Sequence, residues 1–220
     1  MIDPLMFIAL LPAVVLVVYI CRKDRTDKEP PALIAKLLGY GVLSCLPAIV
    51  VELILSAIIE RLNVRNVYLG YFLEAFVVAG LTEETCKFLF LRTTWRNPAF
   101  DYQFDAIVYA VMVALFATGI VRAVTAVPGH AIFGVFMGYF YGYAKLSDYW
   151  GRDDDRKAYL ALSVVVPVLM HGCYDFLAFT QESDSRFTLL FYAYLVALYV
   201  FGIRRVNRSS RDDRRVTRET

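Results

Sequence analysis

Between residues 68 and 91 the chain is apolar for long enough to cross a bilayer, and in the middle of that run stand two adjacent carboxylates, Glu83 and Glu84. An ionisable side chain at the centre of a membrane helix costs about 3 kcal/mol on insertion scales. Two neighbouring carboxylates also repel one another unless one holds a proton. A chain keeps such a pair where it faces the interior of a bundle and has work there. Lys87 lies one helical turn on, at i+4 from Glu83 and i+3 from Glu84, where its ammonium can neutralise one acid.

Composition sets the class of fold. With 59% hydrophobic residues in 220 and a mean hydropathy of +0.53, the chain is too apolar for a soluble domain. Several runs reach the roughly 20 residues that span hydrocarbon. The expectation is an all-α polytopic transmembrane bundle of about seven spans: residues 4–20, 33–59, 68–91, 104–121, 127–146, 158–179 and 187–203. Spans four and five are crowded, with Arg122 and only Ala-Val-Pro-Gly as a turn between them.

Basic residues give the orientation. Arg22, Lys23, Arg25 and Lys28 follow the first span, Lys145, Arg152, Arg156 and Lys157 precede the sixth, and seven arginines from Arg204 to Arg218 follow the last. The positive-inside rule puts the N-terminus outside and the C-terminus in the cytoplasm. The first span lacks a basic leader and reads as an uncleaved anchor. Residues 1–203 are expected to form the membrane domain and 204–220 a basic cytoplasmic tail. The arginines are accounted for by topology and contact with the lipid bilayer, so no nucleic-acid partner is implied.

His130 and His171 are the only histidines, and both fall inside predicted spans. Asp175 is at i+4 from His171, where a carboxylate can fix the imidazole's tautomer. Asp105 opens the fourth span and has two readings, a helix cap or a group that positions Lys87 or a histidine. Gly134, Gly138 and Gly142 repeat every fourth residue and give the fifth span a smooth face for close helix packing. Cys21, Cys45, Cys86 and Cys173 have no metal-ligand spacing, and apolar burial argues against a thiolate nucleophile. Glu52 and Glu74 are further intramembrane acids without an evident role. Nine residues of ideal α-helix place Glu74 and Glu83 on opposite faces.

The segments EETCK, FDAIVYA, VRAVTAVPGHAIFG and MHGCYD resemble the signature blocks of PrsW-type intramembrane proteases. That family is related to the CAAX prenyl protease and bacteriocin-processing membrane proteases. The resemblance implies a peptidase of the bacterial plasma membrane acting on single-span membrane substrates, anti-sigma factors among them. It marks Glu83, Glu84, His130 and His171 as catalytic, with Lys87, Asp105 and Asp175 in support. The chain departs from the pattern after Phe116, Ala117 and Thr118. There it runs straight into Gly119, where family members carry a longer stretch, often with a Glu-Asn pair.

Two chemistries fit these residues. In one, His130, His171 and Glu83 or Glu84 hold a zinc ion while the other glutamate acts as base. In the other no metal takes part; a glutamate with a raised pKa activates water and a histidine donates to the tetrahedral intermediate. The kinship with prenyl proteases tips the balance slightly toward the metal-free route. Counting residues from the predicted span ends puts Glu84, His171 and His130 at about 10, 20 and 25 Å depth, which a single site must reconcile. A proton-coupled transporter is the alternative function, since carriers also use buried acids and histidines, although no internal repeat is visible. A non-catalytic scaffold is the other.

Overall fold

The computed structural model describes residues 4–116 and 123–217, and every long element among them is helical. α1 spans Pro4–Lys23 and α2 Pro31–Arg61, which starts with proline in its first turn, where no N–H partner is lost. The third rod is continuous but has three parts: α3 (Val67–Phe72), a π-helical segment (Leu73–Leu81) and α4 (Thr82–Arg92). The side chain of Asn66 caps its start by accepting from the Leu69 N–H. α5 (Asp105–Phe116), α6 (Ala123–Tyr149), α7 (Asp153–Ser183) and α8 (Thr188–Arg211) complete the bundle.

The all-α expectation holds, and within the described residues a helix lies in each predicted span. Among the described residues three stretches are long and apolar enough to cross a membrane: Pro31–Arg61, Asp153–Ser183 and Ser185–Arg211. Their outward faces carry exposed residues such as Leu46, Leu53, Leu169 and Val196, as expected where lipid is the solvent. The crowded junction between spans four and five falls at residues 117–122, outside the described residues.

α5 is the axis of the bundle. From Asp105 to Leu115 every residue is buried, because α1, α2, α4 and α6 all pack on it. A helix apolar on all sides belongs at such a centre. α6 approaches it through the glycine stripe: a Cβ on Gly138 would run into the backbone of Ala106 and Ile107, and one on Gly134 would lie 2.9 Å from the Ala110 carbonyl oxygen. The small residues thus press the His130 helix against the central helix.

Beyond α8 the chain folds back. Tyr102 and Arg215 form an antiparallel bridge, the Gln103 N–H donates to the Arg214 carbonyl (2.8 Å), and the Val216 N–H donates to the Asp101 carbonyl (2.7 Å). Val216 is buried in the core. The Ser210 hydroxyl donates to the Lys23 carbonyl, so the segment after α8 closes over the ends of α1 and α5.

Candidate active site

The π segment directly precedes the glutamate pair and sets the direction in which it points. A π-helix has roughly 4.4 residues per turn, so nine residues complete about two turns and return to the same face. The stretch between Glu74 and Glu83 is therefore not the ideal α-helix on which the opposite-face expectation rests. Glu74 accepts from Ser56 of α2 (3.3 Å), and Glu83 Oε2 lies 3.8 Å from His130 Nδ1 of α6. A π segment beside a functional site is a recurrent arrangement.

Two glycines bring the third rod against α7. A Cβ on Gly80 would lie 3.1 Å from the Val168 carbonyl oxygen and 3.3 Å from the Gly172 nitrogen, and one on Gly172 would enter the ring of Phe76. Only glycine at both places lets the two backbones come this close. His171, next to Gly172, then meets Glu84 across the interface. Isolated glycines inside helical patterns were the signal available for this contact, and the reading of the sequence missed it.

Four side chains from three helices converge. One ligand atom each from Glu83, Glu84, His130 and His171 fits within 4.8 Å of the others. His171 Nδ1 is 2.9 Å from Glu84 Oε1, and the His130 and His171 rings meet edge to face at 4.7 Å between centroids. Phe133 stacks on His171 at 5.2 Å. Glu84 is fully buried and both histidines nearly so, whereas the Glu83 side chain is 22% exposed.

Lys87 sits within the group. Its ammonium donates to Glu84 Oε1 (2.8 Å), to Glu83 Oε2 (3.1 Å) and to His130 Nδ1 (2.9 Å). Asp175 Oδ2 lies 3.2 Å from His171 Nε2 but is not aligned for a hydrogen bond. Its place one turn along α7 still orients the ring. Asp105 stands apart: its Oδ2 accepts from the N–H groups of Asp101 (3.1 Å) and Tyr102 (2.7 Å) at the entrance of α5. These amides precede the helix, so Asp105 ties down the loop that enters α5, neither capping the helix nor standing beside Lys87.

The greater depth counted for His130 follows from where α4 stops against α6. The Tyr141 hydroxyl donates to the Leu91 carbonyl (3.4 Å) and Lys145 to the Trp95 carbonyl (2.5 Å). α4 thus ends beside the middle of the second half of α6, which continues eight residues, about 12 Å, past Tyr141.

The donor set suits a divalent transition metal. Two imidazoles and two carboxylates match the ligands of catalytic zinc sites, and Glu84 Oε2 is buried with no hydrogen-bond partner. A carboxylate oxygen left without a donor in such a place fits a bound cation or an ordered water. With the metal bound, Lys87 would have to share or yield its contacts with the glutamates.

Comparison with known proteins gives the family of the chain. A family model described as "PrsW family intramembrane metalloprotease" matches residues 29–116 and 114–203. The two pieces meet where Phe116 leads into the shortened stretch. Protease PrsW of Bacillus subtilis (strain 168) is 32% identical over 90% of this chain and 92% of its own length. The protein of the same name from Oceanobacillus iheyensis is 33% identical over 90% and 93%, and that from Clostridioides difficile (strain 630) 28% over 87% and 86%. No solved structure matches.

Proposed function

Because the chain belongs to the PrsW family of intramembrane metalloproteases, we propose that Glu83, Glu84, His130 and His171 are its active site and cut a peptide bond in a membrane-anchored protein. The observation that carries this reading is the convergence of these four groups, up to 88 positions apart in sequence, within 4.8 Å. Membership in a protease family leaves the transporter and scaffold alternatives without support.

His130, His171 and Glu84 would hold the metal, which when bound supplies Lewis-acid polarisation and a lowered pKa for water. Glu83 is the base. It is the one member of the group with partial exposure, so it can reach a water, take its proton at a carboxylate oxygen and pass that proton to the leaving amine nitrogen. Glu84, fully buried and held by Lys87, is fixed for binding rather than proton shuttling, and His171 Nδ1, which faces Glu84 Oε1 in the metal-free group, would give its lone pair to the metal instead. Asp175 keeps His171 in one orientation. The Lys87 ammonium balances the acids, and its N–H groups can donate to a developing oxyanion.

The position of Lys87 also favours a second reading, in which the ammonium supplies the positive charge and hydrolysis proceeds without metal. The family description, metalloprotease, weighs against it.

We place all seven rods across a bacterial plasma membrane with the C-terminus in the cytoplasm, supported by the basic residues at the ends of α1, α6 and α8. Single-span proteins, anti-sigma factors among them, are the substrates this family membership suggests.

The test is cleavage of a panel of single-span substrates by purified protein in detergent, with Glu84→Gln and His171→Ala, each with and without a strong chelator. Loss in both variants, and chelator inhibition reversed by zinc, is expected. Cleavage indifferent to both substitutions would remove the site. Cleavage sensitive to both but indifferent to chelator would select the metal-free route.

A further inference from the structure

Separate from the glutamate–histidine group, two cavities share a wall of arginines, and the second of them also reaches Gln103, Phe104 and Ile107 at the start of α5. The first, about 460 Å³, is a groove between α6, α7 and α8 lined by Phe136, Met170, Tyr194, Leu198 and Phe201. Its floor is fixed by the Tyr194 hydroxyl, which donates to the Met170 carbonyl (2.6 Å). Arg204, Arg205 and Arg208 close one end. The second cavity, about 280 Å³ and polar, lies on the other side of Arg205 and Arg208 and adds Arg214, Tyr139 and Tyr143.

We propose that these joined cavities bind one anionic phospholipid, with an acyl chain along the Phe136–Phe201 groove and the phosphate between Arg204, Arg205 and Arg208. The charge balance supports it. Among the described residues Arg204 and Arg205 make no ion pair, and Arg208 has only Asp212, at 3.5 Å and largely exposed. Three guanidiniums against one carboxylate leave a place for an anion. Guanidinium is the side chain whose planar donors match phosphate oxygens in pairs. Arg205 is already positioned, stacked 4.0 Å above the Tyr139 ring, so little freedom is lost on binding.

Depth supports it as well. Ile203 is the last apolar residue of α8 before the arginines, so the cluster lies where hydrocarbon gives way to headgroups. Basic pockets between membrane helices at that level take phosphate headgroups. The groove also touches the catalytic helices: Met170 adjoins His171, and Phe136 is one turn from Phe133. A bound lipid would stiffen the α6–α7–α8 interface behind both histidines.

The test is thermal unfolding and native mass spectrometry of the full chain in phosphatidylcholine nanodiscs containing increasing phosphatidylglycerol, beside the Arg205→Gln/Arg208→Gln variant. The parent should retain one phosphatidylglycerol and be stabilised by it, and the variant should bind it about tenfold more weakly. Inorganic phosphate should not substitute, because it lacks the chain. Equal retention by the variant, equal stabilisation by phosphatidylcholine, or displacement by a soluble acidic peptide but not by lipid would overturn the proposal. Should the variant not fold, photoactivatable phosphatidylglycerol on the parent decides. Labelling of α8 between Tyr194 and Arg208 is expected, and labelling confined to other helices contradicts it.

Discussion

Two groups of buried carboxylates in this bundle have opposite electrostatic designs. Around Glu83 and Glu84 each acid has an ammonium within 3.1 Å, and Glu84 an imidazole besides. At the end of the bundle where the tail docks, Asp24, Glu29, Asp101, Asp105 and Asp213 gather with far less compensation. Asp24 Oδ1, Glu29 Oε2, Asp105 Oδ1 and the Tyr109 hydroxyl are all buried without an aligned hydrogen-bond partner. Burial, reinforced by Asp213, raises Asp24 to about 6, and burial, opposed by Tyr109 and reinforced by Asp24, raises Glu29 to about 7. Asp101 and Asp213 are raised for the same first reason. The first group brings opposite charges together, whereas the second gathers like charges whose pKa values burial raises, where the ends of the chain join.

The difference is broken most sharply by isosteric neutralisation. Glu84→Gln should lower cleavage by at least about a hundredfold, as losses of a positioned acid–base or ligand group do. Asp105→Asn should leave it within a few-fold of the parent. Parallel turnover measurements on the two purified variants check this, and equal losses would erase the distinction.

Next in size is the counter-charge. Lys87→Met leaves two buried acids without an ammonium, and removing one partner of a buried pair costs about 3–5 kcal/mol. The expected result is a lower unfolding midpoint in detergent, partly restored when Glu83→Gln is added. An unchanged midpoint would mean that Lys87 balances nothing.

The smallest effect is a pH dependence confined to the tail. An acid whose pKa is raised in the folded state contributes most below its unfolded value and loses that contribution as pH rises through the folded one. For Asp24 and Glu29 the loss falls between about pH 4 and 7, with Asp27, Lys28 and Arg215 as the other charged groups acting on this cluster. The amides of Gln103, Phe104 and Val216 bond to the tail segment or pair with it. After correction for intrinsic rate, they should exchange hydrogen faster at pH 8 than at pH 5, and Asp24→Asn with Glu29→Gln should flatten the change. Pairing of Glu84 should leave α4 amides insensitive over the same range.

Much of this was legible from residue pattern. Apolar runs placed the helical rods, and the i, i+3 and i, i+4 spacing of Glu83, Glu84 and Lys87 anticipated contacts that are local by nature. The turn of the helix between Leu73 and Leu81 was not legible, because π geometry leaves no spacing signal and an ideal α count does not hold there. Nor was the relative depth of His130, since where α4 stops against α6 depends on long-range bonds such as Tyr141 to Leu91. The docking of Val216 was hidden for another reason. An arginine-rich segment reads as solvated, and one buried valine does not change that reading.

The central claim is that Glu84, His130 and His171 hold a metal for hydrolysis. The most direct measurement is metal content per molecule of purified, active protein, for the parent and for His130→Ala and His171→Ala. The account predicts about one equivalent of a divalent transition metal in the parent and loss of both metal and cleavage in each variant. A fully active parent without bound metal, or variants that keep the parent's metal content, would contradict it.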